Sequence, residues 1–290
     1  MAHLLAAVPA WLVAGWATLS GACVGSFLNV VIARVPAGES VVHPGSSCPR
    51  CKKPIVWYDN LPVLSWLLLR GRCRGCALPI SLRYPVVELL GGGLGWLAWR
   101  RHGFTAAALA EFTFTALLLA LAAIDLDTWL LPHRLTWALI ALGLGAAVLG
   151  LAPATSIDSA SLGVAIGFGS FALVSLVGEK LLKKEALGFG DVFLLGGLGA
   201  WLGVSALLPV VLLASVQGSL VGVALILIGR SQPGPGTAPP TGAEAGDEEE
   251  PWVPPRHSLP FGPFLVAGAL EWLWLGDRLA ALSPLFEAFR

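Results

Sequence analysis

The chain has 290 residues, 56% of them hydrophobic and only 12% charged, with no net charge. Soluble domains carry about 25% charged residues, so half the usual polar surface is missing and a soluble globule is excluded. Several apolar runs reach the ~18–20 residues needed to cross a bilayer, and the chain reads as an all-α polytopic membrane protein. Zero net charge identifies no partner, because the charges are segregated along the chain.

The first apolar run covers residues 4–31. No basic segment precedes it, so it is expected to stay as a span and not be removed as a signal peptide. Gly21, Gly25 and Ser26 would let another helix approach closely. Asn29 is expected to face protein and find a hydrogen-bond partner there. Cys23 reads as a small core residue. Residues 34–85 are polar, rich in Pro and Gly, and carry Arg50, Lys52, Lys53, Arg70, Arg72, Arg74 and Arg83. So short a domain needs a staple such as a metal.

Four further spans are expected over 86–99, 104–124, 135–151 and 162–182. Gly91-Gly92-Gly93 in the first of these reads as close helix packing. The run 192–228 is too long for one span and is predicted to split at Gly203-Val204-Ser205, with a seventh span from about residue 207. Residues 231–258 form a flexible linker with an acidic cluster, Glu244, Asp247, Glu248, Glu249 and Glu250, to which no chemistry is assigned. A last span from residue 261 brings the count to about eight. The expected organisation is a first transmembrane helix (1–33), a cytosolic zinc-binding domain (34–85), helices two to seven with the catalytic core (86–230), the linker (231–258), and the last helix with the C-terminus (259–290). With eight spans, fourteen of the eighteen Lys and Arg residues fall in the loops after spans one, three, five and seven. The positive-inside rule puts those loops in the cytosol. Arg100-Arg101 is the dissonant pair.

Cys48-Pro49-Arg50-Cys51 and Cys73-Arg74-Gly75-Cys76 are two Cys-x-x-Cys pairs with 21 residues between them. Together they can supply four thiolates in a tetrahedron, the arrangement of a closed structural zinc site, and neighbouring arginines favour the thiolate. A disulfide framework does not suit the cytosol, and a redox role for either pair ranks below zinc. Only Trp57 and Tyr58 are interleaved with the basic residues, so no nucleic-acid partner is expected.

Asp125 closes span three and Asp191, in Gly188-Phe189-Gly190-Asp191, opens span six, both at the cytosolic face. Ionisable groups at membrane depth are functional by default. Two carboxylates brought together titrate as a coupled pair. One can then act as base on a water while the other donates to a peptide carbonyl. The plain alternatives are a helix cap for Asp191, and a polar helix end or a partner for Arg134 in the case of Asp125 and Asp127. Asp127 lies about 200° round the helix from Asp125 and is expected to face elsewhere. A proton relay in a transporter rivals the hydrolase, and a membrane-tethered zinc module that only binds a partner would leave both aspartates unexplained.

Gly25-Ser26-Phe27-Leu28-Asn29-Val30-Val31, the two Cys-x-x-Cys pairs, Asp59-Asn60-Leu61-Pro62, Arg83-Tyr84-Pro85 and Glu88 resemble, as an ordered set, the bacterial type IV prepilin peptidases. Asp125 seven places before Pro132, Gly188-Phe189-Gly190-Asp191, and Pro260-Phe261-Gly262-Pro263-Phe264 extend the resemblance over nearly the whole chain. It implies an inner-membrane aspartic endopeptidase that removes the basic leader of type IV prepilins and of type II secretion pseudopilins. Cleavage would follow a glycine on the cytosolic side, and methylation of the new N-terminus by S-adenosylmethionine would come next. The resemblance maps the catalytic pair to Asp125 and Asp191, with Gly188, Gly190 and Asp127 in support, and a structural Zn2+ to Cys48, Cys51, Cys73 and Cys76. No residue is assigned to the methyl donor. Two departures stand out: Phe193 where the family usually has lysine, and His133 where it has aspartate or asparagine.

Overall fold

A computed structural model describes residues 9–153, 156–182, 188–228, 259–282 and 284–289. The linker expected over 231–258, with Arg230 and Arg256 beside and within it, lies outside them, as do Lys183, Lys184 and the start of the first span. Eight helices of 14 residues or more occur among the described residues: α1 (Ala10–Arg34), α3 (Arg83–His102), α4 (Ala106–Thr128), α5 (His133–Val148), α6 (Ile157–Leu182), α7 (Phe189–Leu202), α8 (Val204–Leu227) and α9 (Gly262–Leu282). They correspond one to one with the eight expected spans. Between α1 and α3 lie a short 3-10 helix (Trp57–Asn60) and α2 (Leu64–Leu68), and α10 (Pro284–Glu287) follows α9. Only two isolated antiparallel bridges, Ser47 with Pro54 and Arg72 with Pro79, occur among the described residues.

By length and composition α1, α4, α6 and α8 can each cross a membrane, and at most 44% of their most apolar stretches is buried within the protein. The rest of that apolar surface faces outward, which suits lipid and not water. The protein is a multi-pass membrane protein. The helix α7 differs. Its 14 residues rise about 21 Å, short of the ~30 Å hydrocarbon core, yet every residue from Asp191 to Leu202 except Phe193 is buried. Protein surrounds it where lipid would otherwise be.

Glycine contacts bring the helices together. A Cβ on Gly199 of α7 would strike the Gly163 carbonyl of α6, and one on Gly25 of α1 would meet the Glu88 backbone of α3 at 2.8 Å. Gly91 packs on Gly21 and Gly25, and Gly92 on Thr18, as the run of three glycines predicts, but Gly93 faces open space. Backbones this close gain dispersion contacts that lipid tails do not replace. Trp201 of α7 stacks on Phe114 of α4 at 4.9 Å and donates its indole N–H to Leu139 O of α5 at 2.8 Å. The predicted break falls at Gly203, whose φ of 81° is open chiefly to glycine; α8 starts at Val204, three residues earlier than expected.

Two expectations are resolved on α1. Asn29 is buried and donates to Tyr84 O at 3.1 Å, as its position demanded. Cys23 is exposed and not in the core, because α1 turns its Gly21–Gly25 face, and not that of Cys23, towards α3. The dissonant Arg100-Arg101 is explained at the far end of α3. Glu111, 1% exposed, accepts from Arg101 at 3.2 Å, from His102 at 2.6 Å and from the Trp274 indole at 3.2 Å. One of the two positive charges is thus neutralised by a buried carboxylate.

Candidate active site and metal centre

The helix α4 ends at Thr128, within a turn of Asp125. Trp129 takes the left-handed conformation (φ 58°) and its N–H closes the helix on Asp125 O at 2.9 Å. The chain then reverses through Leu130 and tucks Leu131 inward, 7% exposed, before Pro132 starts α5. Leu131 is the wedge around which the site is built. A Cβ on Gly190 of α7 would meet its Cβ at 2.7 Å, and one on Gly262 of α9 would lie 3.5 Å from its Cδ1.

Asp125 and Asp191 are both buried, 5% and 8% exposed, and lie close enough for their charges to interact. A Cβ on Gly262 would collide with the Asp125 carboxylate, whose Cγ is 3.2 Å from that position. One on Gly188 would lie 3.6 Å from Asp191 Oδ2. Asp125 Oδ2 is buried without a hydrogen-bond partner. The structure therefore brings together Asp125, Asp191, Gly188 and Gly190, and adds Gly262 and Leu131. Sequence reading missed these last two. Gly262 was visible only as the centre of the Pro-Phe-Gly-Pro-Phe motif, and Leu131 carried no signal beyond its apolarity.

The alternatives for the aspartates are altered. Gly188 occupies the N-cap of α7, and Asp191 sits in the first turn, its N–H on Gly188 O at 3.0 Å. A carboxylate there still has the favourable end of the helix dipole. Asp127 forms an ion pair with Arg83 at the start of α3, a partner that distance in sequence concealed, and is not brought to Asp125 and Asp191. Glu88, also on α3, is buried and accepts the Val63 N–H at 2.7 Å.

The cysteines form two knuckles of the same design. Cys48 N–H bonds Lys53 O at 3.0 Å and Lys52 N–H bonds Cys48 O at 2.9 Å; Cys73 N–H bonds Leu78 O at 2.9 Å and Ala77 N–H bonds Cys73 O at 2.8 Å. Lys52 and Ala77 both take positive φ, 58° and 57°. All four Sγ atoms lie within 4.8 Å of one another, and those of Cys48 and Cys76 are 4.0 Å apart. Tetrahedral zinc with ~2.3 Å bonds to sulfur has sulfur–sulfur edges of about 3.8 Å, so the four cysteines fit a metal such as zinc. Backbone N–H groups of Cys51 and Arg50 hold the Cys48 thiol down at about 6; the expected help from arginine charge comes from the main chain instead. Arg74, inside the second knuckle, grips Asp59 of the 3-10 helix with two bonds of 2.7 Å.

Known proteins share this arrangement in sequence. Residues 19–102 match the family model of the bacterial peptidase A24 N-terminal domain, and residues 112–223 that of the type IV leader peptidase family. A prepilin leader peptidase/N-methyltransferase of Myxococcus xanthus (strain DK1622) is 42% identical, over 91% of this chain and 90% of its own. One from Aeromonas hydrophila is 36% identical over 93% of each chain. A type 4 prepilin-like proteins leader peptide-processing enzyme of Escherichia coli O78:H11 (strain H10407 / ETEC) is 41% identical, over 71% of this chain and 83% of its own. No solved structure matches the chain.

Proposed function

The chain belongs to the type IV leader peptidase family, and on that premise we propose that it is an aspartic endopeptidase that removes the leader of type IV prepilins and pseudopilins after a glycine. The observation that carries the reading is the meeting of two buried carboxylates, from α4 and α7, at a site walled by glycines. Asp125 and Asp191 share the chemistry: one takes a proton from water as it attacks the peptide carbonyl, and the other donates to the carbonyl oxygen. Gly190 and Gly262 let Leu131 and the Asp125 carboxylate pack against the starts of α7 and α9, and so hold the pair in position. Asp127 supports the site from outside by holding Arg83, and so the start of α3, against the end of α4.

The excess of Lys and Arg on one side supports eight crossings of the bacterial inner membrane, with the carboxylates and the cysteine domain at the cytosolic face. The domain boundaries expected from sequence, 34–85 for the cysteine domain and 86–230 for the core, are kept as part of this proposal. Cys48, Cys51, Cys73 and Cys76 would hold a structural zinc ion, which supplies cross-linking to a domain with few buried apolar residues and no step of the reaction. The names of the Myxococcus and Aeromonas relatives support N-methylation of the new N-terminus, with S-adenosylmethionine as donor. The proton-coupled transporter is not favoured by this family membership.

The test is to incubate the purified protein with a prepilin and weigh the product. Loss of the leader is expected, abolished by Asp125→Asn and by Asp191→Asn. Unimpaired cleavage by either variant overturns the proposed pair.

A further inference from the structure

The cysteine domain between α1 and α3 turns an apolar face outward. Trp57, Leu64, Leu67, Leu68 and Leu82 are each more than half exposed. Single exposed apolar residues are ordinary, but a group of them marks a surface that something covers. Leu64, Leu67 and Leu68 are spaced three and four apart and share one face of α2. Trp66 points the other way, about 200° round the helix from Leu64. Its indole N–H donates to Ile80 O at 3.3 Å, and its ring lies 2.7 Å from where a Cβ on Gly71 would sit. The domain thus holds α2 by Trp66 and leaves the leucines uncovered.

Position and charge say what covers them. The N–H of Val63, at the start of α2, bonds Glu88 Oε2 at 2.7 Å. Glu88 follows Arg83, the first residue of α3, by five, about 7.5 Å along the axis. Hence α2 begins beside the second turn of α3 and does not project away from the bundle. The exposed residues of α3 at that level are Val86, Leu89 and Leu90, and Leu82 extends their stripe back by one turn. Residues 34–85 hold eight Lys and Arg against only Glu39 and Asp59, and Asp59 is taken by Arg74. Arg70 and Arg72, just past the end of α2, are exposed and pair with no carboxylate among the described residues. Apolar side chains on one face, cations beside them and a neighbouring tryptophan make up a segment that lies in the interface of an anionic bilayer.

We propose that the cysteine domain lies flat on the cytosolic leaflet, with the leucine face of α2 and Trp57 sunk to the boundary between headgroups and acyl chains, and Arg70 and Arg72 on the phosphates of anionic lipids. The inference rests on the reading above that α3 crosses the membrane and starts at the cytosolic face. The lipid surface then covers the face that the protein leaves open. Arg83, at the start of α3, pairs with Asp127, two residues past Asp125, so this domain and the carboxylates lie at the same end of the bundle. A substrate carried by a membrane helix meets both by moving in the plane of the bilayer.

The experiment reconstitutes the full chain, with a photoreactive benzophenone amino acid in place of Leu68, in vesicles of equal parts phosphatidylcholine and phosphatidylglycerol. After illumination the chain is weighed. Adducts of one chain with one lipid are expected, with phosphatidylglycerol at least about twofold over phosphatidylcholine. Arg70→Gln together with Arg72→Gln should bring the two lipids close to equal. The same amino acid in place of Leu89 of α3 is the positive control, and prepilin cleavage, which uses none of these residues, reports that each variant is folded. A covalent dimer at Leu68, or no lipid adduct there while Leu89 gives one, overturns the proposal. Transfer of the Leu68 adduct from lipid to prepilin, when prepilin is present, overturns it too and gives this face to the substrate. Equal yields of the two lipids with both arginines present overturn the part assigned to Arg70 and Arg72. Absence of lipid adducts at Leu89 as well as Leu68 strikes the placing of α3 in the bilayer, and the control thereby separates failure of that reading from failure of the proposal alone.

Discussion

Gly262→Ala isolates the geometry of the carboxylate site from its chemistry. Gly262 lies in the first turn of α9, and the only atom added is a methyl carbon. That carbon would collide with Asp125 Oδ2 and sit 3.2 Å from Cγ, against 3.4–4 Å for an ordinary contact. Either the carboxylate or the start of α9 must give way by roughly 1 Å, a displacement that can cost about 100-fold in rate when it falls on a reacting group. Stability should fall by no more than about 2.5 kcal/mol, because alanine in a helix gains about 0.5–1 kcal/mol over glycine against about 1–3 kcal/mol for the local overpacking. Gly188→Ala is the internal control: its methyl would lie 3.6 Å from Asp191 Oδ2, an ordinary contact at an ordinary negative φ of −61°. The assay is kcat/KM for prepilin cleavage beside the thermal midpoint of the same preparation. Gly262→Ala should lose about two orders of magnitude while its Tm stays above the assay temperature, and Gly188→Ala should stay close to wild type. Full activity in Gly262→Ala, or an equal loss in both variants, would refute the packing of α9 against Asp125.

Other perturbations read other parts of the molecule. Cys76→Ser should reduce bound zinc below the roughly one ion per chain expected of a closed four-thiolate site, measured by elemental analysis, and expose residues 34–85 to protease, since metal binding and folding are linked in so small a domain. Arg74 holds the Asp59 carboxyl below its ordinary range. A depressed carboxylate contributes stability that is complete above its unfolded value of about 3.9 and is lost as the pH falls through the lower folded value. The protection of the amides of Trp57–Asn60, taken as their exchange rate relative to the intrinsic rate at each pH, should thus be flat from neutral pH down to about 4 and fall only below it, and Asp59→Asn should remove that dependence. Gly199→Val places two methyl groups and a methine against the Gly163 carbonyl and should cost about 3 kcal/mol or more, read as loss of the folded protein from membranes, whereas the same change at Gly169, which faces open space, should be tolerated.

Much of this was legible in sequence because the bilayer imposes it. Apolar runs of fixed length become helices, since no other backbone satisfies its hydrogen bonds in lipid, and Gly203 marks a break because few residues besides glycine adopt its conformation. The cysteine site was legible because its ligands come in two short local motifs. What stayed hidden was the choice of neighbour. A helix whose one face meets lipid and whose other face meets protein is apolar all round, so periodicity does not tell which side packs. Hence Gly91 and Gly92 could be read as packing residues but not separated from Gly93, and Cys23 was placed in the core. The polar pairings were hidden for a related reason. Arg83 with Asp127 and Trp274 with Glu111 join residues 44 and 163 positions apart, and nothing local in either partner announces the other.

The two departures from the family pattern turn out to be one feature. Phe193 and His133 touch edge to face at 5.1 Å, and Phe193 also meets Trp137 at 5.4 Å, Phe168 at 5.1 Å and Phe189 at 5.7 Å. An aromatic cluster thus joins α5, α6 and the first turn of α7. Phe193 is two residues beyond Asp191, about 200° round the helix, so it faces α5 and α6 while Asp191 faces Asp125 of α4. The ring contacts, each contributing about 0.5–1.5 kcal/mol beyond their buried area, fasten these helices together. Because the cluster lies on the far side of α7 from Asp125, it can fix the angle at which α7 presents Asp191 without entering the chemistry of the carboxylates.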